Sequence, residues 1–129
     1  MSTQASVFAP FVDQRTIALT TYRRDGTPVS TPVSIVVDGT RAFVRTWDTA
    51  GKMKRIRNNP DITIAPATFL GRATGPAIRM RASVLDGPEA TAASRALARK
   101  YPLLHGIFVP LIHRLRHNKT MHLELLPLS

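Results

Sequence analysis

Cysteine is absent from this 129-residue chain, which excludes a disulfide framework, a thiolate nucleophile and a cysteine-ligated zinc ribbon. Acids are scarce, 8 against 18 lysines and arginines, giving a formal net charge of +10. So few carboxylates make a paired-acid hydrolase hard to assemble, with Asp48 and Glu124 the candidates left in view. Aromatics make up only 6% and Trp47 is the single tryptophan. With no RNP-like or helix-turn-helix pattern and cations spread along the chain, no nucleic-acid partner is expected. No run of about 20 apolar residues offers a membrane helix. The opening MSTQASVFAPF lacks a charged segment followed by a long apolar core, so the expectation is a cytoplasmic domain.

Catalytic signatures are missing too. There is no G-x-S-x-G elbow, no P-loop and no glycine-rich dinucleotide fingerprint. His113 and His117 stand four apart, but no HExxH surrounds them. Arg114, Arg116 and Lys119 would repel a cation there, so no metal is expected. An enzyme built on this chain would take its chemistry from a cofactor.

The polypeptide does carry a clear strand pattern. Residues 1–15 read as a lead-in with a helical turn around 11–14, and 16–127 as one domain. Alternation predicts strands at 16–22, 29–37 and 41–47, joined by turns at Asp25-Gly26 and Asp38-Gly39. Further strands are predicted at 61–67, 78–84 and 120–126. In the second strand Val33, Ile35 and Val37 share one face, and Pro32, Ser34 and Val36 the other. In the fifth, Ile78, Met80, Ala82 and Val84 oppose Arg79, Arg81 and Ser83. A helix from Pro88 to about Tyr101 presents Ala90, Ala93, Leu97 and Tyr101 as its apolar stripe, and another is expected around 108–115, basic on its other side. The order β-β-β-α-β-β-α-α-β, with hairpins in place of βαβ units, predicts a mainly β fold with flanking helices: a six-stranded antiparallel barrel.

One stretch concentrates charge. Thr46 to Pro60, TWDTAGKMKRIRNNP, holds Lys52, Lys54, Arg55 and Arg57 on a short helix. Asp48 or Thr49 can cap it and Asn58-Asn59-Pro60 can end it. Lys52 and Arg55 fall on one flank and Lys54 and Arg57 on the other, with Met53 and Ile56 between. The free N–H groups of a first turn, with Lys52 beside them, suit a phosphate or carboxylate. A solvated basic face is the competing reading.

DGTPVSTPV, VVDGTRAFVRT and GKMKRIRNNPDITI resemble the split β-barrel proteins related to pyridoxamine 5′-phosphate oxidase. GRATGPAIRMRASVLDGPEA and KYPLLHGIFVPLIHRL are similar to the coenzyme F420-dependent branch. The resemblance spans about 16–126 and implies a homodimer with cofactor sites at the interface. It places cofactor phosphate against Arg45, Thr46, Thr49, Gly51 and Lys52, with Lys54 and Arg55 as further anion contacts. It sets the backbone of Pro32, Val33 and Ser34 along the ring. Residues 67–71, and Arg79 or Arg81, approach across the dimer. The implied activity is hydride transfer from reduced deazaflavin to a small organic acceptor. FMN is the alternative cofactor, and binding of a cofactor or tetrapyrrole without turnover is a further alternative. The resemblance does not extend to the substrate-binding C-terminal segment of the pyridoxamine phosphate oxidase itself.

Overall fold

The computed structural model describes residues 7–47, 51–101 and 120–128. Six strands make a closed barrel: β1 (Thr16–Tyr22), β2 (Pro28–Asp38), β3 (Arg41–Trp47), β4 (Asp61–Ala67), β5 (Ile78–Leu85) and β6 (Thr120–Pro127). Their order around it is β1-β2-β3-β6-β5-β4, every pairing is antiparallel, and β4 closes against β1. Helix α1 (Gly51–Asn58) follows β3 directly, and α2 (Gly87–Lys100) follows β5. The predicted bounds of β1, β3 and β4 match the structure residue for residue. The lead-in turn falls earlier than expected, at Ala9–Phe11, where Pro10 fits an initial helical position.

Alternation sorts the strand residues as a barrel requires. Ile17, Leu19, Val33, Ile35, Val44, Ile62, Ile64, Met80, Leu123 and Leu125 fill the interior, with Met53 and Ile56 of α1 and Phe8 and Phe11 of the lead-in packed into the same cluster. A second, smaller cluster lies outside. There Ala93, Ala96 and Leu97 of α2 cover Val36, Phe43 and Leu85. Val36 is thus buried although it points away from the interior, because α2 gives that face its own cover.

Val84 departs from the simple pattern. It shares a strand face with Met80 and Ala82, yet it is 41% exposed. β4 pairs with β5 only from Ile78 to Arg81, and one more bond joins the Ala82 N–H to the Pro60 carbonyl at 2.9 Å, so past Ala82 β6 is the one described strand beside β5. Val84 therefore stands at an open edge. A matching change occurs in β2, which pairs with β1 through Ser34 and with β3 from Ile35 onward. These hand-overs split the barrel wall.

Tight turns hold the first meander together. In the β1–β2 connection, Gly26 takes a φ of +89° that L-residues with a Cβ rarely adopt. The Asp25 carboxylate accepts the Thr27 N–H at 2.9 Å. The helix expected around 108–115, with His105, His113 and His117, lies outside the described residues.

Candidate functional site

Helix α1 buries Met53 and Ile56 in the end of the barrel, which fixes how its four cations are presented. Lys52 and Arg55 are half-buried, while Lys54 and Arg57 are exposed. The predicted division into two flanks holds, and burial makes the flanks unequal. The Arg55 Nε donates to the hydroxyl of fully buried Thr21 at 2.6 Å. That hydroxyl lies 3.5 Å from the Val29 carbonyl. Arg55 also folds back over the first turn: a Cβ added at Gly51 would lie 2.9 Å from its Nη1.

Lys52 stands at that first turn without a counter-ion among the described residues. Burial, and then the neighbouring Arg55 charge, push its pKa below the ordinary lysine value. It makes no ion pair with a described residue. A half-buried ammonium beside a guanidinium in the first turn of a helix is an arrangement that an anion would relieve.

Next to it is a cavity of about 360 Å³ lined by Arg23, Arg24, Gly51, Lys54, Arg55 and Asn58. Its four charged side chains are all cationic. The three ion pairs found among the described residues, Arg41–Glu124, Arg81–Asp61 and Arg99–Asp38, take none of them. Arg23 and Arg24 were legible only as turn residues. Their charge signal was visible, but the β1–β2 connection must be folded against α1 before they join the site.

The remaining expected positions are placed as follows. Arg45 points outward beneath α2, donating from Nε to His122 Nε2 at 3.2 Å and from Nη2 to Ser94 Oγ at 3.0 Å. It is not among the residues lining the cationic cavity. Thr46 is buried, and Thr49 lies outside the described residues. On β2, Val33 packs into the interior, whereas Pro32 is exposed and Ser34 half-buried. Pro32 to Ser34 pair with β1, and the β3 ladder begins only at Ile35, so their β3-facing edge is outside that ladder. Gly71, at a φ of +94°, rests on the Pro32 ring; a Cβ there would approach it to 3.2 Å. Arg81 is engaged by Asp61 at 3.4 Å. Structure thus joins Gly51, Lys54 and Arg55 with Arg23 and Arg24 and turns Arg45 toward His122 and Ser94.

The family model described as Pyridoxamine 5'-phosphate oxidase matches residues 5–120. No curated protein matches the chain. Among solved structures, HutZ, the haem storage protein of Vibrio cholerae, superposes with a TM-score of 0.70 at 16% identity, covering 91% of this chain and 84% of its own. The conserved hypothetical protein Rv2991 of Mycobacterium tuberculosis gives 0.69 at 18% identity, covering 100% and 82%. A NimC/NimA family protein of Clostridium acetobutylicum gives 0.62 at 14% identity, covering 96% and 80%. At these identities the likeness is one of fold.

Proposed function

Since the chain belongs to the pyridoxamine 5′-phosphate oxidase family, we propose that it is a reductase using coenzyme F420, held by its phosphate at the first turn of α1. The observation that carries this is Lys52: half-buried, depressed in pKa and without a described counter-ion. Lys52 and the N–H groups from Gly51 onward would grip the phosphate, with Thr46 and Thr49 beside them as the resemblance implies. Charge-assisted hydrogen bonds of this kind contribute roughly 1.5–3 kcal/mol each. The β3-facing edge of Pro32, Val33 and Ser34 supplies backbone groups for the ring.

The deazaflavin is preferred over FMN because of the cationic cavity. FMN needs one phosphate site, whereas Arg23, Arg24, Lys54 and Arg55 provide for an extended anionic tail. The reduced cofactor supplies hydride to a small organic acceptor. The chain's own part is to hold the anion, orient the ring along β2 and leave one ring face open. Tetrapyrrole binding has less support among the described residues, because His122 is 7% exposed and its Nε2 is occupied by Arg45.

Fluorescence titration with oxidised coenzyme F420 tests the reading, with saturation expected at micromolar levels. Lys52→Ala should weaken binding about tenfold or more, in line with the loss of one charge-assisted bond. Arg23→Gln with Arg24→Gln should weaken coenzyme F420 while sparing FMN. Absence of saturable binding, or an unchanged Lys52→Ala, would defeat the assignment.

A further inference from the structure

A second cavity, of about 350 Å³, opens on the other side of the β1–β2 connection, lined by Tyr22, Gly26, Asn59, Asp61, Ile62, Thr63 and Arg79. It shares no lining residue with the cationic cavity. We infer that it binds a small carboxylate carried on a flat apolar ring.

The lining follows from register. Thr63 and Arg79 are cross-strand partners on β4 and β5, as are Asp61 and Arg81. Ile62 and Met80 point into the core, so those two pairs stand on the outer face. Asp61 and Arg81 satisfy each other at 3.4 Å. Arg79 has no such partner: its guanidinium, the Thr63 hydroxyl and the Tyr22 hydroxyl make no hydrogen bond or ion pair with a described residue. Asn59 uses its side-chain oxygen to accept the Asp61 N–H at 3.1 Å, which leaves its amide N–H₂ as a further donor. The groups free to bind are therefore donors, around a planar guanidinium whose fork matches a carboxylate.

Tyr22 gives the cavity an aromatic wall, against which a ring stacks or packs edge-on. Gly26 keeps its part of the rim low, since it carries no side chain. The volume lies within the range of small-molecule sites. A monoanion suits the charge better than a phosphate dianion, because the Asp61 carboxylate also stands on the wall and Arg79 is the one cation among the described lining residues.

Benzoate is the probe, followed by amide chemical shifts in two-dimensional ¹⁵N NMR. Saturable shifts are expected at Gly26, Asn59 and Thr63, with an apparent Kd below about 10 mM. Acetate, which lacks the ring, and benzyl alcohol, which lacks the charge, should each bind at least about tenfold more weakly. Arg79→Gln should lose about tenfold, Arg79→Lys should fall between it and the parent, and Asp61→Asn should tighten binding. Arg79 is exposed, so the variant's own spectrum reports that it is folded. Shifts that persist in Lys52→Ala keep this test separate from the cofactor reading. Failure to saturate, equal binding of acetate, or an unaffected Arg79→Gln would each overturn the proposal.

Discussion

His122 shows how one buried residue ties stability to pH. Its pKa is pushed from 6.5 down to about 4, first by burial and then by the Arg45 charge. Its Nε2 accepts from Arg45, a bond that only the neutral ring can make. Between about pH 4 and 6.5 the unfolded chain takes up a proton that the folded chain refuses. This residue's contribution is therefore complete above pH 6.5 and is lost as pH falls through that window. The full loss is roughly 3 kcal/mol. Urea unfolding at pH 7 and pH 5 should show a stability difference that shrinks in His122→Gln, which keeps an acceptor near Arg45 but does not titrate. An equal pH dependence in both proteins would refute this account. From the sequence His122 is, with Glu124, one of two polar residues set against Met121, Leu123 and Leu125 in the last strand. Its tie to Arg45 depends on β3 and β6 being neighbours, which no local pattern reveals. Lys52, by contrast, was legible, because a cation at a helix start is defined by its own segment.

At the scale of elements, α2 is fastened at its C-terminal end as well as packed along its length. The Lys100 ammonium donates to the carbonyls of Gln14 and Ile35, at 2.5 and 2.9 Å. The Tyr101 hydroxyl donates to the Ile35 carbonyl at 2.6 Å and also lies 2.9 Å from that of Arg15. Burial is the first cause of a tyrosine pKa pushed up to about 12. Ile35 is the residue at which β2 leaves β1 for β3, so the staple holds the helix, the lead-in and the strand hand-over together. Tyr101→Phe should cost about 1–2 kcal/mol, read as a lower urea midpoint with an unchanged slope. No loss would mean that Lys100 alone secures the junction. The apolar stripe of α2 was predictable from 3.6-residue periodicity, and Ala90, Ala93, Leu97 and Tyr101 all take part in it. The hydroxyl's partners were not predictable, because they lie 66 to 87 residues away. The same limit explains Val84: alternation gives a residue's face, but whether that face is covered depends on which strand stands alongside.

The whole molecule carries +10, and its charge and its apolar surface make opposing demands on self-association. Phe69 and Leu70 are 85% and 84% exposed on the loop between β4 and β5. The turn carrying them is tied by Gly71 N–H to the Thr68 carbonyl and Thr68 N–H to the Arg72 carbonyl, both at 2.8 Å. Adjacent apolar side chains on a fixed turn suit the homodimer contact proposed through the resemblance at 67–71. Two copies of like charge repel, and salt screens that repulsion within about 10 Å at 0.1 M ionic strength. Sedimentation should therefore show a dimer that tightens as salt rises and dissociates in a Phe69→Ser, Leu70→Ser variant. A monomer at all salt concentrations, or a dimer indifferent to the double substitution, would rule out this contact. The barrel itself was legible in the sequence because six alternating segments, with hairpins in place of βαβ units, leave few alternatives to closure. Which loop would meet a neighbouring copy comes only from the resemblance, since one chain's alternation carries no sign of a partner.

The hand-over in β2 has a kinetic consequence. Up to Ser34 the strand is laddered to β1, and from Ile35 onward to β3. The two halves can therefore exchange their amide protons through separate local openings. Loosening the ladder before Ile35 leaves the β2–β3 pairing in place, with Val33 the residue of that stretch that shares the core of Val44 and Leu123. A ring lying along Pro32 to Ser34 would sit on the half able to yield, and the Lys100–Tyr101 staple at Ile35 would stop that movement from spreading. Entry and departure of a bound molecule could then proceed at the rate of one seam's breathing, far faster than the barrel unfolds.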